Sequence, residues 1–199
     1  MKRLALSLLL LASLPAFALD KPAAPAAAGV QKYTIDNGHT VITFGWNHFG
    51  FSNPTARLEK IDGNILLDAA DLTKSSVTVT LPLDGLHTGV EKLDAHLKTD
   101  EFLDATKYPT ITFKSSKVEK AGADGLKITG DLSVHGVTKS IVLNAKVNKI
   151  ADNPMMKVPS AGFDADVVLK RSDFGVIKYV PAVSDEIPVH ITLDSHLAK

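Results

Sequence analysis

The chain has 199 residues, with 22 basic and 22 acidic side chains and no cysteine. A balanced charge without a long basic run leaves neither nucleic acid nor an anionic membrane surface as an obvious partner, and the lack of cysteine excludes disulfides and a thiol-linked lipid anchor. Stability must come from a packed core or a bound ligand.

The chain begins Met1-Lys2-Arg3, runs apolar from Leu4 to Leu14 and reaches Ala16-Phe17-Ala18. That is the charge, apolar core and small-x-small order of a secretory signal peptide, so residues 1–18 are read as a leader cleaved after Ala18. Its apolar run is shorter than the ~20 residues a bilayer-spanning helix needs, and no stable membrane anchor is expected. The cleavage signal suits bacterial export, which places the mature chain in the periplasm. Residues 19–29, with "KPAAPAAAG", read as a flexible Pro/Ala-rich tether. Residues 30–199 have the length of one domain with a single core.

From Thr40 the order Thr-Val-Ile-Thr-Phe-Gly-Trp puts Ile42, Phe44 and Trp46 on one face of a strand, because strand side chains alternate with period two. The same alternation returns over Ile61 to Leu67, then at Val77, Val79 and Leu81, and at Ile111 and Phe113. Leu126, Ile128, Leu132 and Val134 follow, then Ile141, Leu143, Ala145 and Val147, with a hairpin turn at His135-Gly136 between the two sets. Phe163, Ala165, Val167 and Leu169 make a further set, and Ile187, Val189, Ile191 and Leu193 close the series at about eight strands. Strands with one apolar face each make either a sandwich or a closed antiparallel barrel. A barrel of about eight strands can be filled by side chains or hold one ligand, and Gly130, Ala145 and Ala165 on the apolar faces leave room inside.

Val90 to Leu103 is the one strong helical segment, with Val90, Leu93, Leu97 and Phe102 toward one side. It carries Asp94, His96, Asp100, Glu101 and Asp104. His96 and Asp100 share a helix face at i,i+4, but two ligands without a predictable third fall short of a metal site. Asp94 or Asp104 with His96 could serve acid/base chemistry, yet no nucleophile or oxyanion donors accompany them, so the charges are read as a solvated face with pairs such as Asp94 and Lys98. His39, His87, His135, His190 and His196 are scattered over turns and polar faces. His48 differs, because "WNHFGF" surrounds a polar ring with Trp46, Phe49 and Phe51 and suits a group that orients apolar cargo.

Four segments taken together, "YTIDNGHTVITFGWNHFG", "LDAHLKTDEFLDATKYPTITFKSSKV", "GDLSVHGVTKSIVLNAKV" and "RSDFGV", resemble the YceI-like family of bacterial secreted proteins across nearly the whole mature chain. The resemblance implies a mainly β, lipocalin-like antiparallel barrel of about eight strands with one or two short helices. It also implies an apolar cavity for a long isoprenoid lipid, of polyprenyl or quinone type, in a binding or carrier protein rather than an enzyme. No other cofactor is implied, and a homodimer is compatible with it. Two departures stand out: Leu93 replaces an arginine frequent in relatives, and Arg57-Leu58 replaces a glycine-phenylalanine pair.

The residues expected to line the ligand cavity are Ile42, Phe44, Trp46, His48, Val79, Phe113, Ile128, Leu132, Ile141, Leu143, Phe163, Val167 and Ile191. The competing readings are a ligand-free structural or stress-related interaction module with a filled barrel, and a hydrolase built on His96 and its neighbouring carboxylates.

Overall fold

The computed structural model describes residues 29–199; the leader at 1–18 and all but the last residue of the 19–29 tether lie outside them. The strands form one antiparallel sheet of β1 (Gln31–Ile35), β2 (Val41–Gly45), β3 (Thr55–Leu58), β4 (Asp62–Leu67), β5 (Ser76–Pro82) and β6 (Leu86–His87), followed by α1 (Glu91–Leu97); the predicted alternation covers β2, β4 and β5 here and misses the short β1, β3 and β6. The sheet continues with β7 (Thr110–Lys120), β8 (Gly125–Val134), β9 (Val137–Asp152), β10 (Pro159–Lys170) and β11 (Glu186–Leu197). Of the two layouts the sequence left open, the chain adopts the barrel. β11 pairs with β10 on one side and with both β1 and β2 on the other, as in Tyr33 opposite Leu197 and Ile42 opposite Ile191. No helix among the described residues is long and apolar enough to cross a membrane.

Eleven strands make only eight staves, because β1 with β2, β3 with β4, and β5 with β6 are each one long strand broken in the middle. The three breaks lie side by side. Asn37 replaces the missing ladder there: its Nδ2 donates to the Ile61 carbonyl at 2.9 Å and its Oδ1 accepts from the Ile61 N–H at 2.6 Å. On the third stave the Glu59 N–H bonds the Gly85 carbonyl at 2.9 Å, and a Cβ on Gly85 would lie 2.3 Å from the Glu59 oxygen, so only glycine allows this approach. Across each break the inward phase shifts by one residue, from Ile35 to Ile42, from Leu58 to Ile61 and from Leu83 to Leu86, all buried. A one-residue slip would otherwise turn an apolar face to water.

The other five staves are continuous. Two register shifts, between Ser115 and Lys117 and at Gly162/Phe163, let Val118 and Ile150 pack inward after the odd-numbered residues before them. The predicted turn between β8 and β9 is present, with φ of 50° at His135 and 74° at Gly136, the positive pair that a two-residue type I′ hairpin requires. Gly130 does not leave the room expected of it. The Phe113 ring fills that space, only 2.5 Å from where a Gly130 Cβ would stand.

The helix is shorter than expected. Residues 98–105 form tight turns instead, with the Thr99 N–H and Oγ1 both bonded to the His96 carbonyl and Asp104 at φ 45°. Val90 is the N-cap and is exposed rather than on the apolar side. Asp94 is not ion-paired with Lys98; its carboxylate turns back to accept from the Thr88 N–H and hydroxyl, fixing the entry to α1 in place of a capping side chain at Val90. Those bonds, the hydroxyl first, hold the Asp94 carboxyl below its usual range.

Candidate functional site: an apolar bore with one closed end

The two ends of the barrel differ. At the end where β4 meets β5 and β1 meets the tail of β11, Tyr33, Leu67 and Ala161 are buried to within 2% and form a floor with Ile65. Ser195 is fully buried there, its Oγ donating to the Ala161 carbonyl at 2.8 Å, so the hydroxyl is satisfied in an apolar setting. Burial pushes the Tyr33 phenol upward, with Asp152 adding to the effect. The loop after β4 turns at Asp68, whose carboxylate accepts from the Ala70 and Asp71 N–H groups, and brings Leu72 against this floor.

Above the floor runs a cavity of about 670 Å³ bounded almost wholly by apolar side chains. Its lining on β7 extends from Ile111 to Val118, about 23 Å along the strand at ~3.3 Å per residue. All thirteen residues expected on the cavity wall line it: Ile42 and Phe44 from the first stave, Trp46 and His48 just beyond it, Val79 from the third, Phe113 from the fourth, Ile128 and Leu132 from the fifth, Ile141 and Leu143 from the sixth, Phe163 and Val167 from the seventh, and Ile191 from the eighth. The volume lies inside the ~300–1,000 Å³ range of small-molecule sites, and the wall offers hydrophobic contact rather than directed polar bonds.

The mouth is built from loops that alternation could not read. The 46–54 and 171–185 loops are bound to each other: the Phe49 N–H bonds the Ala182 carbonyl at 3.0 Å, the Ser184 N–H bonds the Asn47 carbonyl at 3.0 Å, and His48 bridges to Val183. Arg171 holds the second loop from inside, its Nε, Nη1 and Nη2 donating at 2.9 Å to the carbonyls of Ser184, Val176 and Val183. Burial pushes its guanidinium downward, partly offset by Asp185, which in turn accepts from the Ser172 N–H and hydroxyl and is held below its usual range by those bonds. Phe174, buried at 3%, closes the loop over the bore, and its carbonyl meets His135 Nδ1 at 3.2 Å.

The charged cluster on and after α1 is largely solvated, as expected, with Glu91, Lys92, Asp100 and Glu101 exposed, but it also meets the mouth through His96 and Glu101. His96 lines the cavity and meets Glu101, not Asp100, at 3.0 Å, while Lys178 from the opposite loop bonds the other Glu101 oxygen. Lys178 first and His96 second hold the Glu101 carboxyl below its usual range. Rings follow the same line, with His96 edge-on to Phe102 at 4.9 Å, and Phe102 and Phe49 each 6.4 Å from Tyr179. Leu93 adds another apolar surface. Leu93, Leu97, Phe102, Arg171, Phe174 and Tyr179 were not on the expected wall. "RSDFGV" marked the loop as a motif without showing that it faces the bore.

A separate carboxylate and imidazole group, Asp36, His39 and Asp194, sits on the outer wall at the break in the first stave. His39 Nδ1 meets Asp36 at 2.8 Å, and this bond lowers the Asp36 carboxyl and raises the exposed imidazole, stapling the break.

A family model described as the YceI-like domain matches residues 33–195. A UPF0312 protein of Vibrio cholerae is 38% identical over 154 residues, covering 76% of this chain and 81% of that one. The crystal structure of a Campylobacter jejuni YceI protein aligns with TM-score 0.71 and 26% identity, covering 94% of this chain and all of that one. A domain of Saccharophagus degradans described as polyisoprenoid binding shares the fold at TM-score 0.63 and 16% identity, covering 83% of this chain and 98% of that one.

Proposed function

The chain belongs to the YceI-like family, and from that premise we propose that it is a periplasmic binding or carrier protein for a long-chain isoprenoid lipid, polyprenyl or quinone in type, and not an enzyme. The observation that carries this reading is the apolar bore of about 670 Å³ with a closed floor and one mouth. A flexible apolar tail suits it, because burying each methylene is favourable by ~0.8 kcal/mol and no polar partner is needed along the wall. The fold likeness to a domain described as polyisoprenoid binding supports the same ligand class.

The head group sits at the mouth, near His48 and His96, in contact with water. The guanidinium of Arg171 already bonds three carbonyls, and Leu93 offers no charge, so recognition of the head is loose while the tail sets affinity. His96 serves as a rim group tied to Glu101, in which role it needs no nucleophile beside it.

Native mass spectrometry of the protein isolated from its own periplasm, followed by organic extraction, tests the reading. One isoprenoid per chain is the expected result, and the same spectrum reports whether the chain dimerises. Protein free of stoichiometric lipid, or carrying a small polar metabolite instead, would sink it.

A further inference from the structure

Large apolar side chains are exposed around the mouth. Phe51 is 91% and Ile177 66% exposed, while Phe49, Tyr179 and Val90 are each about half exposed. Phe49 and Tyr179 also line the cavity, so apolar surface runs without interruption from the outside of the molecule into the bore. Both have left-handed backbone, φ 53° and 62°, a region that bulky side chains rarely occupy. The strain is held by the Phe49 N–H to Ala182 carbonyl bond and by the Val183 N–H to Tyr179 carbonyl bond at 2.8 Å. Such strain persists only where surrounding structure fixes it, and here it presents two rings at the rim.

Resting on the lipid-carrier reading, we infer that the mouth is a membrane-docking surface. Phe51 and Ile177 enter the head-group region of a lipid bilayer and seat the rim against the acyl layer. The isoprenoid tail then passes between bilayer and bore without crossing water. The bilayer is the occupant that fits, because the patch opens directly onto the bore, and a tail exposed to water during transfer would raise the barrier with every methylene. Aromatic and aliphatic groups at a rim favour the membrane interface on apolar grounds. Without the expected leader, which holds Lys2 and Arg3, the chain carries 20 basic and 22 acidic side chains, so net charge does not draw it to anionic head groups, and with Lys178 bonded to Glu101 the attachment is weak, reversible and little affected by salt.

The test uses the mature protein with vesicles of phosphatidylethanolamine and phosphatidylglycerol that contain no isoprenoid. Phe51→Asp and Ile177→Asp should each lower vesicle partitioning about tenfold, which is 1.4 kcal/mol. They should also slow uptake of a polyprenol from donor vesicles, while uptake from detergent solution stays at the wild-type level. Met155, equally exposed at 91% but on the loop between β9 and β10 at the floor end, supplies the control, and Met155→Asp should change neither readout. Equal partitioning of wild type and the Phe51→Asp/Ile177→Asp double variant would overturn the inference. So would an equal loss in Met155→Asp, or a rim-dependent dimer that forms in place of vesicle binding. Vesicle partitioning is read without cargo, so a wild type that docks but takes no polyprenol from detergent defeats the carrier reading, and one that loads from detergent but ignores vesicles defeats only docking.

Discussion

At the floor, Tyr33, Leu67, Ala161 and Ser195 are buried to within 2%, whereas at the mouth Phe49, Tyr179 and Ile177 remain 47%, 49% and 66% exposed. The floor gains its order from apolar contact, and the fully buried Ser195 hydroxyl is matched by a carbonyl. Order at the mouth comes from directional bonds, with Arg171 tied to three carbonyls, Asp185 to Ser172, and Glu101 to both Lys178 and His96. Directional bonds at an exposed rim can yield locally while a packed core holds, so opening is expected at the mouth before the floor. Stability and access are placed at opposite ends of the same staves.

The contrast can be broken in the bore between the two ends. Val167→Asp puts a carboxylate on the wall of the cavity, and the expected outcome is complete loss of co-purifying lipid with an unchanged far-ultraviolet circular dichroism spectrum. Retained lipid in that folded variant would remove Val167 from the binding surface.

Next in size is the floor itself. Leu67→Ala should cost ~2–5 kcal/mol, the range for deleting a fully buried leucine side chain, read from the urea-unfolding midpoint. Tyr179→Ala at the mouth should stay within about 0.5 kcal/mol of wild type. Equal losses at the two positions would erase the distinction between the ends.

Arg171→Ala probes the directional bonds. Hydrogen bonds from a charged donor contribute ~1.5–3 kcal/mol, and the loss should appear as faster amide exchange from Val176 to Ser184 with the floor still protected. Exchange that accelerates equally at Tyr33 would show that mouth and floor unfold together.

The smallest effect is that of pH on the Glu101 link across the mouth. Its folded carboxyl titrates below the ordinary value of about 4.3, so its contribution is complete above that value and is lost as pH falls through the depressed folded one. Amide exchange in residues 99–105 and 176–180, after correction for intrinsic rates, should therefore rise as pH falls from the ordinary glutamate value through the depressed folded one. Glu101→Gln should remove most of that rise, and a variant that retains it would assign the rise to another group.

The walls were legible because alternation is a local property: Ile42, Phe44 and Trp46, or Phe163 and Val167, point inward for the same reason that successive strand side chains point to opposite faces. Wherever alternation stops, legibility stops. The three phase shifts across the breaks depend on Asn37 reaching Ile61 and on Glu59 reaching Gly85, contacts between residues more than twenty apart in the chain. The 171–185 loop has no period at all; its path follows from Arg171 collecting carbonyls, which a list of residues does not display. The segment after Leu97 has helical spacing but leaves the helix because Thr99 bonds back to His96 and Asp104 turns into left-handed backbone. Gly130 looked like open space and is covered by the Phe113 ring, since a small residue reports its own volume and not that of its neighbour.

By itself the sequence determined one inward set on each of the eight staves, though not the halves at Gln31–Ile35, Thr55–Leu58 and Leu86–His87, together with the hairpin at His135-Gly136 and the family, because each is written in short-range order along the chain. Tertiary structure alone decided that β11 closes against β1 and β2, that Tyr33 and Leu67 seal one end, and that Phe49 and Tyr179 frame the other. Period two says which way a side chain points, but not what stands opposite it. A bore exists only when the walls meet and the volume between them is left unfilled.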